Sequence, residues 1–170
     1  MTPVERIKAA YAAFGRDDPS VLFATMHPAI TGNEAEGNPL AGRNPYVGAQ
    51  AIGEGVFGRL LAAIDGFSAV PGAFINGGDD VVVLGRYGGT MKAGGARITA
   101  QFCHVYHFRD GKVVSFQPYT DSAQWARLIA RAVRLGARSL AGPGSMTQNP
   151  GARKWQNAHD EAIEARGGAL

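Results

Sequence analysis

The sequence predicts an α+β domain: a half-open cone in which three N-terminal helices pack on one face of a curved, mainly antiparallel sheet. Two observations support this prediction. Apolar residues recur at helical spacing before residue 65, whereas nearly everything from Phe67 to Thr120 has the composition and alternation of strands. Tight-turn sequences separate the strand candidates, so consecutive strands should pair antiparallel. Segregated helices and strands are typical of an α+β fold.

Three helices are predicted before the sheet. The first begins at Thr2–Glu5, where a capping hydroxyl, a proline and a carboxylate three residues after the cap occur together. The second opens at Asp18-Pro19 and ends at His27-Pro28, because a residue before proline disfavours helical backbone. The third spans Val47–Ile64. It contains a GxGxxG run, Gly53–Gly58, which we interpret as helix packing, since no strand precedes it as a dinucleotide-binding loop requires.

The strand candidates follow a short extended segment, Ala29–Ala35, and a loop rich in glycine, asparagine and proline, 37–46. Four longer strands are predicted: Phe67–Asn76, Val81–Met91, Arg97–Arg109 and Lys112–Thr120. A helix starting at Asp121 or Ser122 and running to about Leu135 closes the predicted domain, 1–135. Residues 136–170 are expected to form a linker and a C-terminal helical extension, the helix covering 150–166.

Composition excludes several protein classes. The chain has 170 residues, 45% hydrophobic and 18% charged, which suits one globular domain. Its single cysteine excludes a disulfide framework and a Cys-rich zinc site, and no His spacing indicates a metal, so we expect no metal and no cofactor. No apolar run approaches the roughly 20 residues of a membrane span. Charges at Glu5, Arg6 and Lys8 argue against a secretory signal, so we expect a cytoplasmic protein without a membrane partner.

The net charge of +3 lies in the C-terminal part of the chain. Residues 1–126 hold ten Lys and Arg against eleven Asp and Glu, and residues 127–170 hold seven against three. Four arginines recur there at helical spacing: Arg127, Arg131, Arg134 and Arg138. They form either a nucleic-acid patch or a solvated helix face. The absence of interleaved aromatic residues favours the solvated face, so no nucleic-acid partner is expected.

Asp110-Gly111 between two apolar runs predicts a two-residue hairpin turn. Counting back from that turn places His104 opposite Gln117 and Phe102 opposite Tyr119. Alternation then gives one sheet face made of Phe102, His104, Tyr106 and Phe108 with Val113, Ser115, Gln117 and Tyr119. The opposite face is also mostly apolar, which predicts a homodimer through one of the two faces.

The first face carries the candidate chemistry. His104 could act as a general acid or base near neutral pH, with Tyr119, Gln117 and Asp121 orienting it. The alternatives are a core histidine satisfied by a neighbour, and a helix-capping role for Asp121. Glu34 is the alternative catalytic base, since it and Glu36 would point the same way on a strand and crowding could raise one pKa. The alternative for this pair is simple solvation at the rim.

Several segments resemble the SnoaL-like group of the nuclear-transport-factor-2-like superfamily, which includes ketosteroid isomerases and polyketide cyclases. The resemblance covers about residues 3–130 and is carried by Tyr11-Ala-Ala-Phe14, Glu34-Ala35-Glu36-Gly37-Asn38-Pro39, Val82-Val83-Leu84-Gly85-Arg86-Tyr87, His104-Val105 and Arg109-Asp110-Gly111-Lys112-Val113-Val114. It implies a cone-shaped fold with a small-molecule pocket. The expected substrate contacts are Tyr11, Phe14, Asn33, Phe102, Tyr106 and Gln117.

The resemblance disfavours steroid isomerisation itself. The oxyanion tyrosine of steroid isomerases falls at Ala10, and their aspartate base falls at Asn33, which cannot take a proton. Their second acid falls at Cys103 or His104. Gly32 stands where many SnoaL-like members carry an aromatic residue, which predicts a more open pocket or one filled from elsewhere.

Three functions are therefore compatible with the sequence. The first is an enzyme that acts on a hydrophobic small molecule by cofactor-independent acid–base chemistry of the isomerase, cyclase or hydrolase type. The second is a non-catalytic carrier or sensor of an apolar ligand. The third is a dimerisation module whose cone is closed and filled.

Overall fold

The computed structural model describes residues 1–136 and residue 157. Its helices are α1 (Pro3–Phe14), α2 (Ser20–Thr25), α3 (Ala49–Ile52), α4 (Gly58–Ala63) and α5 (Ser122–Arg134), with a 3₁₀ helix at Pro39–Arg43 and a π-helical turn at Gly53–Phe57. Its strands are β1 (Met26–Gly32), β2 (Tyr46–Val47), β3 (Ile64–Gly77), β4 (Asp80–Met91), β5 (Arg97–Ile98), β6 (Gln101–Arg109) and β7 (Lys112–Thr120).

The strands form one sheet in the order β2-β1-β7-β6-β4-β3, with β5 paired to β4. β1 runs parallel to β7, and every other pairing is antiparallel. α1 contacts α2 and the strands β3 and β4. The predicted fold class is confirmed: helices cover one face of an open, curved sheet, and the enclosed face carries the core.

The start of the chain folds as its sequence predicts. The Thr2 hydroxyl accepts a hydrogen bond from the Glu5 amide at 3.3 Å, while the Thr2 amide donates to Glu5 Oε2 at 2.7 Å. These two bonds satisfy amides that the first turn of a helix leaves without partners. α2 begins at Ser20, beside an Asp18 carboxylate that accepts from the Ser20 amide at 3.0 Å. It ends at Thr25, so β1 begins three residues before the predicted Ala29.

The third predicted helix is interrupted. α3, the π-helical turn and α4 follow one another over residues 49–63 instead of forming one regular helix. The Gly53–Gly58 run lies here, inside a helix as expected. A side chain at Gly55 would collide with the Tyr46 ring, so this glycine lets the helix approach β2 closely. π-helical turns are rare and concentrate near functional sites.

The predicted β6–β7 register was wrong beyond the first two pairs. Arg109 pairs with Lys112 and Phe108 with Val113, as the turn predicts, but a β-bulge then inserts one extra residue into β7. His104 lies opposite Pro118 instead of Gln117, and Phe102 lies opposite Thr120 instead of Tyr119. The β6 alternation is unaffected, so Phe102, His104, Tyr106 and Phe108 all face the core.

The bulge has a packing reason. Because one extra residue reverses the alternation of the rest of a strand, it turns Phe116 and Pro118 inward and Gln117 and Tyr119 outward. Pro118 is fully buried and Phe116 packs against the core, whereas Tyr119 is 58% exposed. The observed register therefore buries more apolar surface than the predicted one.

α5 begins at the predicted cap. The Asp121 carboxylate accepts a hydrogen bond from the Gln124 amide at 2.9 Å. Arg127, Arg131 and Arg134 are exposed along this helix, whereas Arg138 lies outside the described residues. The predicted linker and C-terminal helix also lie outside them, and both stay predictions. Within the described part of the chain, no helix has the length and apolar character needed to cross a bilayer.

Candidate functional site

A cavity lies between the inner face of the sheet and the helices, and most of its lining is apolar. It offers about 80 Å³ to the centres of water molecules, whereas a single water needs roughly 10–15 Å³. It therefore has room for a small organic ligand. Its titratable or amide side chains come from five different elements or loops: Tyr11, Asn33, Glu34, Asn38, Tyr46, Tyr87, His104 and Tyr106.

His104 is held between two phenols on one wall of the cavity. Its Nδ1 lies 2.5 Å from the Tyr11 hydroxyl on α1, and its Nε2 lies 2.5 Å from the Tyr87 hydroxyl on β4. The Tyr11 hydroxyl also lies 3.1 Å from the Tyr106 hydroxyl, two residues along β6 from His104. Both ring nitrogens therefore have hydrogen-bond partners within the protein.

Aromatic rings pack against the His104 imidazole. Phe102 stacks on the imidazole with ring centres 4.0 Å apart, and Phe116 meets it edge-on at 5.2 Å. The side chain is only 5% exposed. Burial of this kind penalises the charged form and lowers the pKa of His104 to about 3. The imidazole is consequently neutral at physiological pH.

The phenols around His104 stay protonated as well. Burial raises the pKa values of Tyr11, Tyr87 and Tyr106 above the ordinary value for tyrosine. Nearby groups add to this effect for two of them: Tyr106 for Tyr11, and the carboxylate of Glu34 for Tyr87. This wall of the cavity is thus a set of neutral hydrogen-bonding groups without a charge.

Glu34 supplies a titratable carboxyl on another part of the lining. The Asn44 side chain fixes its backbone, since the Glu34 amide donates to Asn44 Oδ1 and Asn44 Nδ2 donates to the Glu34 carbonyl, both at 2.8 Å. Glu34 is only 9% exposed, and its Oε2 accepts a hydrogen bond from Asn38 Nδ2 at 3.3 Å. Burial raises the pKa of Glu34 to about 7, although the Arg59 guanidinium opposes the shift.

Comparison with known proteins identifies the family. Residues 7–116 match the SnoaL-like domain. The chain belongs to the SnoaL-like family.

Solved structures agree with that assignment. The fold is similar to an NTF2-like protein from Burkholderia thailandensis with 35% identity and a TM-score of 0.69, over 78% of this chain and 98% of that one. It is similar to an NTF2-like protein of unknown function from Burkholderia pseudomallei (27% identity, TM-score 0.65, 73% and 94% covered). TerC, co-crystallised with polyporic acid, is 29% identical with a TM-score of 0.65, over 75% and 97%.

No curated protein matches the sequence. Membership in the SnoaL-like family points to small-molecule binding or to cyclase- or isomerase-type activity, without choosing between them. The geometry of the individual side chains must therefore carry any finer assignment.

The structure brings together only part of the site predicted for this SnoaL-like chain. The predicted residues that line the cavity are Tyr11, Phe14, Asn33, Glu34, His104 and Tyr106. Phe102 lies directly behind His104, as its stacking shows.

Three predicted residues lie elsewhere. Gln117 and Tyr119 face the outer side of the sheet because of the bulge, and Gln117 Nε2 donates to the carbonyl of Pro118 at 2.9 Å. Asp121 caps α5, which was the stated alternative for it.

Glu36 is exposed, so the predicted crowding of Glu34 by a second carboxylate was wrong. Burial raises the pKa of Glu34 instead.

Sequence reasoning missed Tyr87, Asn38 and Arg59. A signal for Tyr87 was present, because Val81, Val83, Gly85 and Tyr87 alternate on β4 and only the last carries a polar tip. Gly85 is required there, since any side chain at that position would collide with the Phe102 ring. Asn38 lies in a loop and Arg59 lies in α4. Only the tertiary fold brings them near Glu34, so no rule based on sequence spacing predicts that they interact with it.

The described residues were also compared with the requirements of a metal site. Within residues 1–136, no three His, Cys, Asp or Glu side chains gather closely enough to hold an ion. Cys103 lies on the outer face of the sheet, opposite Leu84 of β4, and is not part of the cavity lining.

Proposed function

We propose that the protein binds an apolar small molecule inside the cone and moves a proton on it, with Glu34 as the base. The observation that carries this proposal is the buried Glu34 carboxyl, whose pKa of about 7 leaves it partly ionised at physiological pH. A base is most effective when its pKa lies near the working pH. The proposed chemistry requires no cofactor, because the groups that move the proton belong to the chain.

The other wall would support the charge that forms on the substrate. Proton removal beside a carbonyl places negative charge on oxygen, and buried hydroxyl donors stabilise such charge strongly. His104 acts here as a positioning residue, since its low pKa argues against the proton-shuttle role predicted from the sequence. A neutral imidazole donates from one ring nitrogen and accepts at the other, so His104 orients the hydroxyls of Tyr11 and Tyr87. With the Tyr11–Tyr106 bond, these contacts leave one hydroxyl hydrogen of the three tyrosines free to donate to the substrate.

The substrate class follows from the lining. Apolar side chains surround the few polar groups, which favours a hydrophobic molecule with one or two oxygen atoms. The co-crystallisation of TerC with polyporic acid supports small-molecule binding in this fold. Proton abstraction next to a carbonyl is common to isomerisation and cyclisation, so both remain within the proposal.

Deuterium exchange would test the proposal. We would incubate the protein in D₂O with 2-tetralone, an apolar aromatic ketone with acidic hydrogens beside its carbonyl, and follow exchange by ¹H NMR. The wild type should accelerate exchange, and Glu34→Gln should reduce the acceleration by ~10²–10⁴, the usual contribution of a positioned base. Glu36→Gln is the matched control, because it removes an exposed carboxylate two residues away, and it should exchange like the wild type.

A binding protein is the second candidate. Its supporting observation is that the hydrogen bonds of His104 are all made within the protein, as in a satisfied core residue. In that case the wild type would bind the ketone in a calorimeter without accelerating exchange. That result, or equal exchange in Glu34→Gln and the wild type, would contradict the enzymatic proposal.

The outer sheet face supports a homodimer. Val70, Ile75, Leu84 and Tyr119 are exposed there, with Val82 and Val105 beside them. Monomers rarely leave such a broad apolar surface open, so we propose that a second copy covers it and buries on the order of 1,200–2,000 Å² in total. Sedimentation velocity at micromolar concentration should give a dimer, and Leu84→Glu should shift it to a monomer. A wild-type monomer would contradict this proposal.

A further inference from the structure

Among residues 1–136, Asn33 is the only polar side chain of the cavity lining that makes no hydrogen bond within the protein. The other polar side chains of that lining all have partners, most of which are described above. Tyr46 and Thr25 each donate to a backbone carbonyl, at 2.7 and 2.6 Å, and the Trp125 indole donates to a threonine hydroxyl at 3.3 Å. Because polar groups that are withdrawn from bulk water nearly always have partners, the half-buried Asn33 amide is left to pair with what enters the cavity.

The Asn33 amide does not do what asparagine usually does in a loop. A loop asparagine commonly bonds to nearby backbone, as Asn38 does when its Oδ1 accepts from the Leu40 amide at 3.0 Å and caps a 3₁₀ helix. In the described part of the chain, the Asn33 side chain makes no bond of this kind. An apolar residue of similar size at this position would therefore remove no hydrogen bond from the fold.

The backbone on both sides of the Asn33 side chain is fixed. The backbone amide of Asn33 donates to the Phe116 carbonyl at 3.0 Å, which continues the pairing of β1 with β7 by one residue. The next residue, Glu34, is held by two hydrogen bonds of 2.8 Å to the Asn44 side chain. Three hydrogen bonds thus position the backbone that carries the amide, and this reduces the entropy that a ligand loses by ordering it.

The chemistry of the amide indicates the group that it would bind. A carboxamide donates through Nδ2 and accepts at Oδ1, and a hydroxyl group on a ligand complements both functions. A ligand whose only polar group is a carbonyl can accept from a tyrosine hydroxyl, but it would displace water from Asn33 without replacing the lost hydrogen bonds. An unpaired amide beside a bound apolar ligand lowers the affinity, so the lining favours a ligand with a second polar group.

We propose that Asn33 determines specificity by selecting ligands that carry a hydroxyl group in addition to the reacting carbonyl. The amide donates one hydrogen bond to that hydroxyl and accepts another from it. This inference rests on the proposed function for the carbonyl, and it narrows the substrate class to hydroxylated apolar ketones. Asn33 takes no part in the proton transfer itself, which stays with Glu34.

Calorimetric titration with matched ligands would test this selection. We would compare 2-tetralone with the four isomers that carry one hydroxyl on its aromatic ring, and with the fluoro analogues, which fill similar space but donate no hydrogen. At least one hydroxylated isomer should bind the wild type about tenfold more tightly than 2-tetralone, as expected for newly formed neutral hydrogen bonds, and its fluoro analogue should show no such gain. The proposal is overturned if no hydroxylated isomer gains affinity, if the fluoro analogue gains as much, or if none of these compounds binds.

Asn33→Leu, which keeps the size of the side chain, locates the preference. This variant should bind the hydroxylated isomer no better than 2-tetralone. It should bind 2-tetralone itself at least as tightly as the wild type does, because no amide is left without a partner. A preference that persists in Asn33→Leu would overturn the proposal, and so would an equal loss of affinity for both ligands, which indicates a structural role.

The titrations separate this proposal from the proposed function. The comparison of hydroxyl with fluorine uses only the wild type, so it decides the matter even if Asn33→Leu does not fold. Bound 2-tetralone without deuterium exchange would contradict the proposed function alone. Deuterium exchange without a preference for a hydroxylated isomer would contradict the role of Asn33 alone.

Discussion

The two sides of the cavity bury titratable groups to nearly the same extent but shift them in opposite directions. His104 is 5% exposed and Glu34 is 9% exposed. Burial penalises whichever form is charged, so the pKa falls to about 3 for the imidazole and rises to about 7 for the carboxyl. The result reverses the usual expectation for these residue types, since the carboxyl and not the histidine titrates near neutral pH.

This contrast also sets how stability depends on pH. The folded pKa of His104 lies below its ordinary value of 6.5, so its contribution is present above pH 6.5 and is lost as the pH falls towards 3. The folded pKa of Glu34 lies above its ordinary value of 4.5, so its contribution is present below pH 4.5 and is lost as the pH rises through 7. Between pH 4.5 and 6.5 the two effects oppose each other.

The largest expected effect is on the histidine side. In the wild type, the low pKa of His104 should lower the free energy of unfolding by about 5 kcal/mol as the pH falls from 6.5 to 3, at about 1.4 kcal/mol for each pKa unit. His104→Gln removes this loss. Urea unfolding at several pH values should show the variant losing less stability than the wild type over that interval. A difference between the two proteins that does not vary with pH would mean that the pKa of His104 is ordinary.

Next in size is the carboxyl side. In the wild type, the raised pKa of Glu34 should lower the free energy of unfolding by about 3 kcal/mol as the pH rises from 4.5 to 7. Glu34→Gln removes this loss. In the same unfolding series, the free energy of unfolding of the variant should rise relative to that of the wild type as the pH increases. At pH 8 the variant should be the more stable protein. Glu36→Gln should track the wild type throughout. If Glu34→Gln also follows the stability of the wild type at every pH, burial does not raise the pKa of Glu34.

A smaller effect tests the hydrogen bonds between α1 and β6. Tyr11→Phe leaves His104 Nδ1 and the Tyr106 hydroxyl without their shared partner, so it should lower the free energy of unfolding by roughly 1–3 kcal/mol. Thermal unfolding at pH 7.5 would measure the loss. An unchanged melting temperature would show that the lost hydroxyl is replaced at no cost, and that these hydrogen bonds do not stabilise the fold.

The smallest effect is expected on the outer face. Tyr119→Phe removes only a hydroxyl from a side chain that points away from the cavity and keeps the ring that the proposed dimer would cover, so stability should change by less than about 0.5 kcal/mol. Ketone exchange should also be unaffected. A large loss of exchange would favour the register counted from the hairpin turn over the bulged one.

Local rules predicted much of the fold. The Thr2 cap, the Asp121 cap and the β6 alternation each depend on a few neighbouring residues, and all three are confirmed. The bulge in β7 could not be predicted in this way, because it arises from the burial of Phe116 and Pro118 against residues distant in sequence. Glu34 was found as a candidate for the wrong reason. Its raised pKa depends on burial by residues that are distant in sequence, and no spacing pattern predicts such burial.

The proposed catalytic role of Glu34 depends most directly on its ionisation. Carbon-13 NMR of the glutamate side-chain carboxyls, with the Glu34 signal assigned by its absence in Glu34→Gln, would follow that ionisation in the wild type. We expect a midpoint near pH 7 for this carboxyl and no matching signal in the variant. A midpoint near 4.5 would show that Glu34 is solvated in the folded protein, and the proposed base would be excluded.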